Sequence, residues 1–458
     1  MRGMLLGYVK KLFQDKELIN KCLTVAVPLM LQALVVNSVT LVDNLMIGEL
    51  GDAALSGVSS ANRYYIIVNY CSTAISAAGI IFLSQYYGAQ NENKMKECFR
   101  ILTIFSLLTG AVFVFLARFF PEQILRFIID DDEVVRLGGM YLKLCCLSYL
   151  PTIVSVCIGA SMRALGRPKV PMLISIFSVL LNVAFDYVFI FGRFGLPALG
   201  VEGAAVATLL ARLIEMILYI FALHASDMPF KTRITEFFRF EPVLMKRILS
   251  KAGPLLINEF LYTFGNTFLL KCYSFRGVSV NTAYTMTLTV QDLFFVLFSG
   301  MATATSVLIG IPLGAGELEK AKDNGYKLFV FSLLLSLLFG SVMFGVSFLF
   351  PVLYRNVSED ALYLAERFLK VNSLFFIAFT FNTQTYFTLR AGGQTRQTMV
   401  MDSVFMWSVM IPTVYILDYH TAIPVVIVYM IGQGTEFLKG ILSWYFFRKE
   451  KWVVNLTE

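Results

Sequence analysis

Charge is the first thing this sequence is short of. Asp, Glu, Lys and Arg make up 15% of its 458 residues, while 57% are hydrophobic and mean hydropathy is +0.70. Soluble domains carry about 25% charged residues, which places this chain outside that class. Histidine is almost missing, with only His224 and His420, so a metal centre or catalytic triad has little to build on. The seven cysteines contain no C-x-x-C pair and mostly fall inside apolar segments. They read as small buried hydrophobes rather than a disulfide framework or zinc site. No H-E-x-x-H, G-x-S-x-G or phosphate-binding P-loop occurs, which argues against a membrane-embedded enzyme and against direct drive by ATP. Formal net charge is +7, yet no basic run interleaved with stacking aromatics lies outside the hydrophobic segments. A nucleic-acid partner is not expected.

What the chain does have is long apolar runs. Crossing a bilayer core takes about 20 residues, and twelve segments reach that length: 23–46, 54–86, 99–118, 137–162, 170–191, 201–224, 253–274, 281–312, 327–350, 366–389, 398–417 and 422–446. The expected fold class is therefore an all-α integral membrane protein. Residues 1–22 are expected to form an N-terminal tail. Leu5, Leu6, Val9, Leu12 and Phe13 recur there at helical spacing, so a short interfacial helix and a partly ordered tail are both open. With the N-terminus inside, the inner segments collect most of the 38 Lys and Arg, including Lys231, Arg233, Arg239, Lys246, Arg247 and Lys251. That asymmetry predicts cytoplasmic termini in a multi-pass protein of the cell membrane.

The chain also repeats itself. Pro28-Leu29 recurs as Pro254-Leu255 and Gly88-Ala89 as Gly314-Ala315, both 226 residues later. Arg163-Ala164-Leu165-Gly166 returns as Arg390-Ala391-Gly392-Gly393, and Pro197 as Pro424, at an offset of 227. These landmarks fit one duplication with a single-residue insertion. They predict two pseudo-symmetric six-helix bundles of like orientation, residues 23–225 and 253–447, joined by a hinge-like linker at 226–252 and followed by a tail at 448–458.

Several stretches resemble the multidrug and toxic compound extrusion family of antiporters. They are Val42 to Gly51, Gln85-Tyr86-Tyr87-Gly88-Ala89, Arg163 to Gly166, Asn182-Val183-Ala184-Phe185-Asp186, and Leu199 to Thr208. The resemblance implies a V-shaped, two-lobed transporter that exports organic compounds in exchange for protons or sodium ions. The implied partners are a small-molecule substrate and membrane lipid, in a monomer that needs no cofactor beyond the coupling ion.

Polar groups at membrane depth are costly, so each calls for an account. Asp43 lies near the end of the first span. Asp186 lies about six residues from the outer end of the fifth with Asn182 one turn below it, and Thr208 about eight residues into the sixth. Two carboxylates, an amide and a hydroxyl at similar depth suit a shared proton or a sodium ion. The resemblance implies the same set, since relatives place an acid on the first helix, Asn and Asp on the fifth and Thr on the sixth. The repeat puts Leu269 opposite Asp43 and Thr413 opposite Asp186, so coupling is expected in the first half only.

In the second half Asp292 is the leading acid for attracting a cationic substrate. Glu259 and Asp402 lie near inner helix ends, where solvated or gating roles compete with substrate contact, and some relatives carry a seventh-helix acid close to the position of Glu259. Tyr262, Tyr284 and Tyr64-Tyr65 are candidate cavity walls. Arg212 with Glu215 and Glu436 with Lys439, each spaced i, i+3, read as internally paired charges. The alternative function is flipping of lipid-linked oligosaccharides by a related two-lobed design, against which the acidic rather than basic candidate residues argue.

Overall fold

The computed structural model describes residues 2–349 and 357–458, and among them it contains helices and no strand. A first helix, α1 (Arg2–Gln14), precedes α2 (Lys16–Gly48), α3 (Asp52–Gly88), α4 (Glu92–Phe119) and the short α5 (Pro121–Arg126). Next, α6 (Asp132–Cys145) runs through one tight turn into α7 (Tyr149–Ala164), forming a single rod. They are followed by α8 (Lys169–Phe191), α9 (Val201–Ala225), α10 (Pro242–Ser274), α11 (Val278–Gly314), α12 (Leu318–Ser347) and α13 (Glu359–Ala391). The short α14 (Thr395–Met399) continues through two wide, π-wound stretches, Val400–Val404 and Met406–Met410, into α15 (Ile411–His420), and α16 (Val425–Arg448) closes the series.

Local chemistry fixes the ends of these rods. Asn91 accepts a hydrogen bond from the Lys94 amide at 3.1 Å and caps α4. Asp131 does the same for α6, with the Glu133 and Val134 amides at 3.0 Å. Gly192 ends α8 at φ +66, where a side chain would meet the Ala198 amide. The wide turns before α15 have a cause in Pro412, which has no N–H to offer the carbonyl four residues back.

Counting α6–α7 and α14–α15 as single rods, twelve long helices among the described residues match the twelve expected spans, of which residue 350, the last of the ninth, lies outside the described residues. Among the described residues ten are long and apolar enough to cross a membrane. The other two, α10 and α13, are 33 residues each and carry more polar side chains. Several of those side chains are bonded inside the protein: on α13 Gln384 donates to Thr305 at 2.9 Å and Asn382 to the Glu436 carboxylate at 2.7 Å, and on α10 Asn258 donates to Asp402 at 3.2 Å. Their polarity marks inward faces.

The chain forms two compact units. The first is Val27–Ala252; the second joins the described part of Met1–Ala26 to Gly253–Glu458. The dividing points fall inside α2 and α10, next to Pro28 and Pro254, where each helix ladder is one hydrogen bond short.

The terminal and linking segments pack against the two units. Residues 226–252 pack onto the first unit: the Arg100 guanidinium donates to the Glu236 carbonyl at 2.7 Å, Lys94 pairs with Glu241 at 2.7 Å, and Phe99 meets Phe230. The N-terminal helix packs on the second unit. There Tyr8 stacks on Tyr326 at 4.9 Å, and the Lys327 ammonium, 2.7 Å from Asp15, holds that carboxyl below its usual range. Trp452, in the expected tail, is fully buried against Gly325 and Gly392. Trp452→Ala should cost about 3–5 kcal/mol of stability, read as an earlier thermal unfolding transition in detergent.

Candidate functional site

The first unit gathers its acids at one place. On α8, Asn182 and Asp186 stand one turn apart on the buried face, 8% and 4% exposed, and the Asn182 amide donates to Asp186 Oδ2 at 3.1 Å. From α2, the Asp43 carboxyl meets that of Asp186, while Asp43 Oδ1 is buried without a hydrogen-bond partner. Two carboxyl groups in contact repel unless a proton or cation lies between them. Because Asn182 spends its N–H on Asp186, its carbonyl oxygen stays available as a further ligand.

Thr208 on α9 joins this group through Tyr141 on α6. The Tyr141 hydroxyl lies against Thr208 and Cys145, within the field of Asp186. Tyr141 is buried and was missed in the sequence reading. The available signal was a phenol inside a span, which is a polar group at depth like any other. Arg212, one helical turn beyond Thr208, pairs with Glu215 at 2.6 Å. The charge of Arg212 reaches Asp43 as well, but among the described residues neither Asp43 nor Asp186 forms an ion pair of its own. The four expected residues therefore lie in one unit around one acid pair, and their oxygens suit a proton or a hard monovalent cation.

In the second unit, Tyr262 and Tyr284 line a cavity together with Phe295, Phe379, Asp402, Glu436 and Lys439. Glu259 lines an adjoining cavity beside Arg390. Asp292, the leading acid of this half in the sequence reading, is exposed and lines neither. The Tyr64 hydroxyl is tied to the Phe113 carbonyl at 2.9 Å.

Asp402 is tied from two other helices: it accepts from Lys439 at 3.0 Å and from Asn258 at 3.2 Å. It lies within the wide turns upstream of Pro412, where each added residue rotates the helix face by about 100° and so changes which neighbours it meets. Lys439 also reaches Glu436, as expected, at 3.5 Å.

Comparison with known proteins agrees with this architecture. The MatE family model matches residues 28–188 and again 254–416, each match opening on one of the two repeated prolines. The probable multidrug resistance protein YoeA of Bacillus subtilis is 23% identical over 94% of both chains. The probable multidrug resistance protein NorM of Thermotoga maritima is 22% identical over 95% of this chain and 93% of its own. Among solved structures, a MOP superfamily transporter from Pyrococcus furiosus shares the fold with TM-score 0.85, at 18% identity over 94% of this chain and 95% of its own. The Vibrio cholerae MATE transporter VcmN in its bent form gives TM-score 0.85 at 16% identity, over 95% and 98%. Nothing in this set favours the oligosaccharide flippase reading. The chain is a multi-pass membrane transporter and not an enzyme, and it belongs to the multidrug and toxic compound extrusion (MatE) family.

Proposed function

We propose that the protein is a cation-coupled antiporter that exports organic, cationic or amphipathic compounds by alternating access, with H+ or Na+ as the coupling ion. The observation that carries this reading is the contact of Asp43 with Asp186 in a buried setting where Arg212 is already matched by Glu215. Such a pair is stable only with positive charge between its members. A cation arriving there lowers the free energy of whichever access state brings the acids together, and its release favours the other; only a difference in affinity between states can do this. Asn182, Asp186, Thr208 and Tyr141 would hold the ion, and Asp43 would complete or open the site as α2 moves.

The positive-inside asymmetry supports a cell-membrane location with both termini cytoplasmic. The test is export of a fluorescent organic cation from vesicles containing the purified protein, under separately imposed proton and sodium gradients. One gradient should drive export and its collapse should stop it. Failure of both gradients across a broad panel of compounds would overturn the reading. Tyr141→Phe should weaken the apparent affinity for the coupling ion by about 3- to 10-fold, the loss of one hydroxyl hydrogen bond, as measured by the ion dependence of the export rate.

A further inference from the structure

The second unit has a charged cluster of its own that the acid pair of the first does not explain. Lys439, 9% exposed at its side chain, stands between two carboxylates from different helices: Asp402 at 3.0 Å and Glu436 at 3.5 Å. The far oxygens of both acids are held by amides, Asp402 Oδ2 by Asn258 at 3.2 Å and Glu436 Oε2 by Asn382 at 2.7 Å. Ser403 and Ser443 in turn hold those amides, at 2.6 and 2.7 Å. The carboxylates are thus rigidly aimed, while the cation is a single ammonium on a flexible four-carbon stem.

This cluster forms part of a cavity wall. Aromatic side chains line the same cavity, and Phe295 and Phe379 are stacked with centroids 4.8 Å apart. Aromatic faces beside carboxylates suit an organic cation, through cation–π attraction and charge pairing together. Two carboxylates against one ammonium leave the cluster one positive charge short. Asp402 lies in the wide-turn stretch, a form of helix that recurs at functional sites. Lys439 also occupies the repeat position of Arg212, whose fixed fork pairs with an acid on its own helix instead.

We infer that Lys439 is a tethered cation, resident among the second unit's carboxylates, that competes there with an aromatic organic cation binding in the adjacent cavity. The lysine sets the selectivity of this cavity: it limits the affinity for cations and keeps anions tolerable, while Asp402 supplies the charge that a cationic ligand uses. This rests on the reading of the chain as an exporter of organic cations, but concerns a different unit from the proposed coupling site.

The test uses two probes of nearly equal shape and opposite charge, tetraphenylphosphonium and tetraphenylborate. Equilibrium binding of each is measured to the full-length protein in sodium-free detergent solution. Lys439→Met should bind tetraphenylphosphonium about tenfold more tightly and tetraphenylborate about tenfold more weakly than the unaltered protein, one charge contact each way. Lys439→Arg should stay near the unaltered values. If Lys439→Met fails to fold, judged by its thermal transition, Asp402→Asn serves instead and should weaken tetraphenylphosphonium binding. A purely structural lysine would move both probes in the same direction or neither, and that result overturns the inference, as does absence of tetraphenylphosphonium binding in every variant. Gradient-driven export by the unaltered protein, measured alongside, separates the two readings. Export with no charge-dependent change at Lys439 defeats the inference alone, whereas no export defeats the antiporter reading.

Discussion

In Asp186→Asn, gradient-driven export falls by about 100-fold or more, the scale set by removing one member of a buried charged site worth 3–5 kcal/mol. The fold should persist, because asparagine has the same shape and its carbonyl can still accept from Asn182, now 3.1 Å from Asp186. The defect is expected in coupling rather than in binding: the variant should still bind substrate but should not respond when the proton or sodium gradient is reversed. Asp43→Asn should give the same phenotype, since each acid is the other's neighbour. The double variant should be no worse than either single one, because residues acting as a unit are not additive. Substrate efflux measured with and without the ion gradient, on variants of equal thermal stability, checks this directly.

The second large effect concerns how α6 is positioned. Gly57 on α3 and Gly138 on α6 lie back to back: a Cβ at Gly57 would come 2.7 Å from the Gly138 nitrogen, and one at Gly138 would come 2.7 Å from the Gly57 oxygen. Both obstacles are backbone, so a flexible side chain cannot yield to make space. Small residues at such a crossing let helices approach closely in a membrane, where packing rather than water exclusion holds them together. Gly57→Val should cost about 3 kcal/mol or more and yield little folded protein by size-exclusion chromatography after extraction. Gly138 is one turn from Tyr141, so any protein that does fold should also show the weakened ion affinity expected of Tyr141→Phe.

Much of this was legible in the sequence, because hydrophobic length is a one-dimensional signal. The spans at 54–86, 170–191 and 201–224 lie within two residues of α3, α8 and α9. The prolines and glycines of the repeat also carried over, since each marks a backbone requirement rather than a side-chain preference. The start of α10 was not legible: Lys246, Arg247 and Lys251 read as a linker, whereas that turn is helical and Arg247 lies over the Phe82 ring in the first unit. Long basic side chains can cover apolar surface while remaining charged, so composition alone understates such a helix.

The candidate site divides in the same manner. Asn182 and Asp186 could be paired from their spacing, which is a property of one helix. The partnership of Asp402 with Lys439, 37 residues apart, could not, because the wide turns before Pro412 shift the register. Tyr141 was passed over because a tyrosine in an aromatic-rich chain attracts no notice until a neighbour such as Thr208 gives its hydroxyl a task. Asp292 drew attention as an isolated acid in a long apolar span; it lies on α11 and lines neither cavity of the second unit.

The most direct measurement is a count of the ions displaced when substrate binds. Purified protein in weakly buffered detergent solution is mixed with a saturating organic cation, while a pH indicator follows protons and radioactive sodium follows Na+. The account predicts that binding releases one of these ions from the unaltered protein, and that the Asp43→Asn, Asp186→Asn double variant releases none while still binding the compound. Release of the same number of ions by that double variant would contradict it, for the exchanged cation would then be held somewhere other than between Asp43 and Asp186.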